Sequence, residues 1–242
     1  MKTYIFISTI VGISFLFVFT LSNGILAQEN KWIIYDTVNS ELPANWINSI
    51  AVDNEGNVWI GAGSFGGGGV AKLVLPASNS QGNGSEGTPK WTVFYASNSG
   101  LPENYVRSVA VDRKGNLWAG TEYSGLAMFD GSNWTVYNTS NSNLPVNYVK
   151  SICADEKGNT WIGTFGGGVV KLTLSGSEGL LKWTNYNTSN SGIAGDIIGA
   201  INIDQKGIVW IGTYEGGLSG FDPEKSKQPW VVLNTSNSKL PN

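Results

Sequence analysis

Apolar residues recur at every second position in short runs along the chain, a pattern that predicts β-strands rather than helices. The clearest runs are residues 106–111, 117–121 and 126–129, and clusters of Gly, Asn, Asp and Ser separate them. Because the runs are short and rich in Val, Leu, Trp and Phe, they indicate antiparallel hairpins.

This unit is repeated, and its internal spacing is fixed. Each copy opens with a tryptophan, and a second tryptophan follows 27 residues later. The opening residues are Trp32, Trp91, Trp134 and Trp183, and a partial fifth copy begins at Trp230. Between the two tryptophans an aspartate and a glycine also keep their offsets, at Asp53, Asp112, Asp155 and Asp204 and at Gly56, Gly115, Gly158 and Gly207. All length variation falls after the third run, as in stacked repeats whose insertions lie on one face.

Four short strands per unit of 40–50 residues predict an all-β fold of β-propeller blades, each with four antiparallel strands. We expect about four blades, which close with the runs at 91–95, 134–137, 183–186 and 230–233. The run 32–35 then becomes an outer strand without its three inner strands, and the sequence stops inside the opening loop of another repeat. An incomplete propeller is therefore expected, with self-association or missing blades supplied in trans. A closed four-bladed ring is the alternative.

The repeated positions also predict local roles. The four aspartates are expected to accept backbone N–H groups across a hairpin turn in which the glycine takes a positive φ. The second tryptophan of each copy is expected to pack between blades. We predict no metal site at these turns, because they lack the alternating carboxylates of a calcium loop.

The N-terminus has a different composition from the repeats. A basic start and an apolar stretch at 4–21 precede a cleavage-like site after Ala27, as in a secretory signal peptide. We therefore divide the chain into a signal peptide at 1–27 and repeats at 28–242. The apolar stretch is long, so an uncleaved anchor is the alternative, and it is the one route by which we expect membrane attachment. Either form predicts a periplasmic or extracellular location.

Composition narrows the function. The formal net charge is −3 and 14% of residues are charged, so no basic surface points to nucleic acid. The sequence has no histidine, which removes Ser-His-Asp and Cys-His catalysis and imidazole metal ligands. Its single cysteine, Cys153, excludes an intrachain disulfide. We predict neither catalytic residues nor a cofactor.

A family resemblance rests on the stretch Asn-Ser-x-Leu-Pro-x-Asn and the following Ser-(Ile/Val)-x-x-Asp-x-x-Gly-Asn-x-Trp-x-Gly-Thr. It stands at 39–62, 98–121 and 141–164, with Ala62 in place of the final Thr in the first copy. The fourth copy departs at 191–196 and at Ile208. The motif resembles the two-component regulator propeller repeat, whose propellers form periplasmic sensors of hybrid two-component systems, many of which sense glycan fragments. The resemblance implies a non-catalytic sensor-like or protein-interaction module: a detached sensor, a fragment or a partner-binding protein.

Candidate ligand-binding residues lie in the two loops of each copy that antiparallel topology brings to one face. They combine aromatic rings with charged groups and flanking amides, as suits a carbohydrate or peptide ligand. The candidates are Trp46, Tyr105, Tyr148, Arg107, Lys150, Tyr123, Phe165 and Tyr214. The alternative for the repeated aromatics is packing.

Two other functions remain open at this point. Streptogramin lyases are propellers with similar repeats, but their chemistry is linked to histidine. Here Glu122 or Tyr123 would have to act as the base, with no partner assignable from sequence. A secreted structural scaffold is the third alternative.

Overall fold

The computed structural model describes residues 2–10, 13–21, 32–65, 67–76, 87–175 and 180–241. These residues form strands, turns and loops without a helix, so the all-β prediction is confirmed. No helix long and apolar enough to cross a membrane is found within the described ranges. At the N-terminus, β1 (Lys2–Ile10) and β2 (Ile13–Leu21) pair as an antiparallel hairpin. The predicted signal peptide is not tested by this pairing, and its cleavage site lies outside the described residues.

The remaining strands form four sheets of four antiparallel strands, which are the predicted blades. In each blade the chain runs from the innermost to the outermost strand. Blade one contains β3 (Ile47–Val52), β4 (Val58–Ser64), β5 (Gly67–Val74) and β6 (Lys90–Phe94). Blade two contains β7 (Val106–Val111), β8 (Leu117–Thr121), β9 (Leu126–Phe129) and β10 (Trp134–Tyr137). Blade three contains β11 (Val149–Ala154), β12 (Thr160–Thr164), β13 (Val169–Ser175) and β14 (Leu180–Tyr186). Blade four contains β15 (Ile198–Ile203), β16 (Val209–Thr213), β17 (Gly217–Phe221) and β18 (Trp230–Leu233).

The turn between the first two strands of each blade is held by its aspartate, as predicted. In blade three, Asp155 Oδ1 accepts the backbone N–H of Lys157 at 3.0 Å and of Asn159 at 2.8 Å. Its Oδ2 accepts the side-chain amide of Asn159 at 2.7 Å and the indole N–H of Trp161 at 3.1 Å. The glycine takes a positive φ of 82° at Gly158. We call this end of the blades the turn face. The bond from the indole, which was not predicted from the sequence, connects the turn face to the core.

Each blade packs on the next through the second tryptophan and the glycine two residues after it. Trp59 lies among buried residues of blades one and two, and Trp161 among those of blades three and four, which confirms their interblade role. The glycine allows close approach, because a Cβ on Gly120 would lie 2.4 Å from Val149 Cγ1. A serine adds a hydrogen bond across each junction: in one, Ser108 Oγ accepts the N–H of Ile152 at 2.9 Å. The innermost strands therefore pack in the order β3, β7, β11, β15.

The two outer faces of this array differ. Residues 32–36 form no strand, so the predicted outer strand at Trp32–Tyr35 is wrong, because no described strand lies beside them to complete a ladder. Tyr35 nevertheless packs edge-on against Trp91 at 5.3 Å and joins the buried cluster of blade one.

The far face of blade four has no such cover among the described residues. There Val231 and Leu240 are 47% and 37% exposed, and the nearest atom to a Cβ built on Gly212 lies 3.9 Å away. Self-association through this face stays a prediction.

Candidate functional site

The candidate residues lie at the end of the blades opposite the turn face. At this end, the loop face, the loop before the innermost strand meets the loop after the second strand. The backbone N–H of Glu122 donates to Tyr105 O at 3.3 Å, and the N–H of Phe165 donates to Tyr148 O at 3.0 Å. These bonds confirm that the two predicted loops share one face.

A β-bulge shapes the start of every innermost strand. In each blade the pairing register shifts by one residue, and the extra residues are Asn48, Arg107, Lys150 and Gly199. All four line one cleft at the centre of the array. Bulges redirect a side chain out of the regular pleat, and here they direct one residue per blade toward the axis.

Aromatic rings lie in two contacting groups on the loop face, and together we call them the aromatic row: Phe65 and Tyr105 in one group, and Tyr148, Phe165 and Tyr214 in the other. Phe65 meets Tyr105 edge-on at 5.6 Å, and Phe165 meets Tyr214 edge-on at 5.8 Å. Tyr148 stacks on Phe165 at 4.8 Å with the ring planes 19° apart. Phe65 and Tyr214 are 81% and 60% exposed, so the row offers open ring faces to solvent.

Arg107 joins the two halves of the row. Its guanidinium lies 4.2 Å from the ring centre of Tyr105 and 5.6 Å from that of Tyr148. Glu122 holds the guanidinium through Nε and Nη2, and the two side chains are only 7% and 16% exposed for Glu122 and Arg107. The paired charges fix the guanidinium plane, which makes the row a rigid surface.

Two tyrosines at this site have a raised pKa. Desolvation raises the pKa of Tyr148 to about 12, with Arg107 opposing the rise and Glu122 adding to it. The pKa of Tyr123 is also raised, by desolvation and by the neighbouring carboxylate of Glu122. Both hydroxyls therefore remain hydrogen-bond donors throughout the neutral range.

The structure brings most, but not all, of the predicted residues together. Tyr105, Arg107, Tyr148, Phe165 and Tyr214 form the site just described. Lys150 lies in the adjoining cleft. Tyr123 and Trp46 are 59% and 47% exposed at the rim, and neither packs on another described ring.

The sequence analysis missed two features of the site. It did not predict that Glu122, a candidate base, pairs with Arg107. It also left Phe65 out of the candidate ligand-binding residues, although Phe65 contacts Tyr105 in the structure.

The amides that were expected to flank the ligand have structural roles instead. Asn104 Oδ1 accepts the N–H of Ala96 at 2.7 Å, and Asn147 Oδ1 accepts that of Thr139 at 2.9 Å. Asn45 does the same for Thr37. Each amide oxygen fastens the long loop that precedes its blade.

The cleft enclosed by the bulges has a volume of about 400 Å³, within the usual range for small-molecule sites. Besides the four bulge residues, it is lined by Ser49, Ser108 and Ser151. Arg107 belongs to both the cleft and the aromatic row, so the two form one continuous surface. Across the residues that the structure describes, no three Cys, Asp or Glu side chains converge as a metal site would require.

Three of the repeats are similar to a known protein family. Residues 41–64, 100–123 and 143–166 match the family described as two component regulator propeller. The matches cover the loop and first two strands of blades one to three. The fourth copy, which departs from the motif at 191–196 and at Ile208, is not among the matched ranges. No curated protein matches the chain significantly.

Solved structures show the same fold. The extracellular domain of a protein described as a hybrid two component system, from B. thetaiotaomicron, is 28% identical, with a TM-score of 0.64. The match covers 96% of this chain and 28% of that one. An extracellular domain described as part of a one component system, from the same organism, is 19% identical over 92% of this chain and 35% of the other, with a TM-score of 0.55. Virginiamycin B lyase from Staphylococcus aureus is 15% identical over 76% of this chain and 57% of the other, and its TM-score of 0.49 carries no functional argument. The chain thus spans about a third or less of the two extracellular domains it resembles.

Proposed function

We propose, on the premise that its repeats belong to the two component regulator propeller family, that this chain is an extracytoplasmic, non-catalytic module that binds a carbohydrate on its loop face. The observation that carries the proposal is the aromatic row with Arg107 fixed at its centre. Aromatic faces stack on the C–H faces of sugars, while fixed polar groups orient the hydroxyls. The likeness to extracellular domains of signalling proteins supports the same location and a sensor-like role.

The site is preorganised for binding. Arg107 and Glu122 are largely buried and paired, and Tyr148 is stacked, so little side-chain freedom remains to be lost when a ligand arrives. The exposed rings at the two ends, Phe65 and Tyr214, lie on blades one and four. A ligand that follows the row would therefore contact all four blades, which favours an oligosaccharide over a single sugar.

The chemistry of the loop face supports binding more than catalysis. Both candidate bases are poorly suited to accept a proton: Glu122 is held by the guanidinium of Arg107, and the pKa of Tyr123 is raised. The sequence has no histidine to replace them. A general base needs a free acceptor whose pKa lies near the working pH.

The proposal is tested by titrating the full chain with a neutral and an anionic panel of oligosaccharides, using calorimetry and thermal melting. We expect one glycan class to bind and to raise the melting temperature, because a ligand that prefers the native state stabilises it. Tyr148→Ala should weaken that binding roughly 10-fold or more, the loss typical of a central aromatic contact. Leu180→Ala is the control, since Leu180 is 64% exposed on the outer strand of blade three. Absence of binding to every glycan would favour a structural scaffold, and turnover of a glycan would favour an enzyme.

A further inference from the structure

The four bulge residues that line the cleft differ in whether their side chains already have a bonding partner. Asn48 uses both N–H groups of its amide, which donate to Gly63 O at 2.8 Å and to Val106 O at 2.9 Å, and it offers only an uncharged acceptor, Oδ1. Arg107 is paired with Glu122, and Gly199 has no side chain. Lys150 makes no hydrogen bond or ion pair with any residue that the structure describes. Of the four bulge positions, the one in blade three therefore holds a partly buried cation that has no counter-ion among the described residues.

The serines of the cleft add donors to this charge. Ser108 Oγ accepts the N–H of Ile152 at 2.9 Å, and Ser151 Oγ accepts the N–H of Ile201 at 3.0 Å. These bonds use the hydroxyl oxygens as acceptors, and neither hydroxyl donates its own proton to a described residue. Each serine can thus present its O–H to a ligand while it still joins two blades.

The side-chain acceptors at the same place, which belong to Asn48 and the serines, are uncharged. None of the side chains that line the cleft is a carboxylate. The nearby carboxylate of Glu122 is held by Arg107. The cleft therefore carries a net positive charge and hydroxyl donors, and an ammonium group in such a partly desolvated position gains most from an anion.

We propose that the ligand carries an anionic group, a carboxylate or a sulfate, that enters the cleft and pairs with Lys150 while the sugar rings lie on the aromatic row. This inference rests on the proposed carbohydrate binding and specifies the class of carbohydrate. Because Arg107 borders both the cleft and the row, a uronic acid or sulfated sugar could place its charge in the cleft and its ring on Tyr148. Ser108 and Ser151 would donate to the same anion.

Matched ligand pairs test the proposal on the unaltered chain. Oligogalacturonate is compared with its methyl ester, and a sulfated disaccharide with its unsulfated form, by calorimetry at low and at physiological salt. We expect the charged member of one pair to bind about 10- to 100-fold more tightly, the effect of one charge-assisted hydrogen bond. That preference should shrink as salt rises. Whether the carboxylate or the sulfate pair shows it identifies the group.

Variants of Lys150 locate the charge. Lys150→Met should lower the affinity for the charged member to that for the neutral member, whereas Lys150→Arg should retain the preference. Lys225→Met is the control, because it removes the same charge from a side chain that is 65% exposed and pairs with Asp222 outside the cleft. Thermal melts of each variant confirm folding.

Three results would overturn the inference, and they separate it from the proposed function. Equal binding of charged and neutral members, with Tyr148 still required, would reject the anion site and leave carbohydrate binding intact. A preference that survives Lys150→Met would place the charge recognition elsewhere. If no member of either pair binds, and no member of the neutral or the anionic panel does, both proposals fail together.

Discussion

The turn face and the loop face are made by the same four repeats. On the turn face the position that holds the turn carries the same residue in every blade, whereas on the loop face two equivalent positions carry a different residue in each blade. On the turn face one aspartate recurs in every blade, at Asp53, Asp112, Asp155 and Asp204, and each binds the indole of its own blade. On the loop face the bulge position holds Asn, Arg, Lys and Gly in turn. The position four residues after the second tryptophan holds Gly63, Glu122, Phe165 and Tyr214. Repetition along the chain therefore marks groups that stabilise every blade in the same way, and variation at a fixed offset marks the face on which the blades differ.

The largest effect on stability is expected at the turn face. Asp155→Ala removes four hydrogen bonds and leaves the fully buried indole N–H of Trp161 without an acceptor. We expect a loss of about 2–4 kcal/mol in the free energy of unfolding, measured by urea denaturation with tryptophan fluorescence. Asp204→Ala is the comparison: it removes three hydrogen bonds, because Ile208 has no side-chain amide, and Trp210 is only partly buried, so a smaller loss is expected. Equal losses at the two sites would mean that burial of the indole does not set the cost.

A smaller loss of stability is expected when a glycine is replaced at the junction between blades two and three, and almost none when the equivalent glycine is replaced on the uncovered face of blade four. Gly120→Ala would place a Cβ 2.4 Å from Val149 Cγ1, so blades two and three would have to move apart. Overpacking of this kind costs about 1–3 kcal/mol. Gly212→Ala meets nothing closer than 3.9 Å and should change stability by less than about 0.5 kcal/mol. Thermal and urea unfolding of the two variants measure the difference, and a large loss for Gly212→Ala would indicate that another surface covers blade four.

Variants of the loop face should separate binding from stability. Phe65→Ala and Tyr214→Ala remove rings that are 81% and 60% exposed. The free energy of unfolding should stay within about 0.5 kcal/mol of the original value, as for most exposed positions. The affinity for the bound oligosaccharide should fall severalfold, because each variant removes a stacking surface at one end of the row. Loss of stability with unchanged affinity would assign these rings to packing.

The smallest effect is the response to acid. Desolvation alone would raise the pKa of Asp53, but hydrogen bonds from Asn57, Trp59 and Glu55 outweigh it and lower the pKa below the usual value. A carboxylate whose pKa is lower in the folded state stabilises the fold above its unfolded pKa, and this contribution is lost as the pH falls through the folded value. The difference in unfolding free energy between the original chain and Asp53→Ala should therefore narrow below about pH 4. A difference that is constant down to pH 2 would contradict this role.

Much of the fold followed from the sequence because the repeats are in phase. The fixed interval between tryptophans predicted the blades, and the strand bounds differ from the predicted ones by a few residues at most, as at β6 and β14. The strict alternation expected at 106–111 holds less well. Val109, placed on the opposite side from Val106, lies on the same side: both pack against blade one, at 3.0 and 2.9 Å from a Cβ built on Gly61. The bulge at Arg107 shifts the alternation by one residue.

The site was harder to predict than the fold. A period of two assumes a regular strand, and it cannot show that Arg107 and Lys150 are bulge residues directed toward one axis. The pairing of Glu122 with Arg107 joins residues from two strands of blade two and depends on that bulge. One signal was available: the bulge offset carries four chemically different residues inside otherwise repetitive copies.

The most direct test of this account is a map of where a bound oligosaccharide protects the chain. Hydrogen–deuterium exchange of the full chain is compared with and without the tightest-binding member of the glycan panels. We predict protection in the loop-face segments 103–107, 122–125, 145–150 and 197–199, and no change in the turns at 53–57, 112–116, 155–159 and 204–208. Protection confined to those turns, or to the outer strands, would contradict the assignment of the loop face as the binding surface.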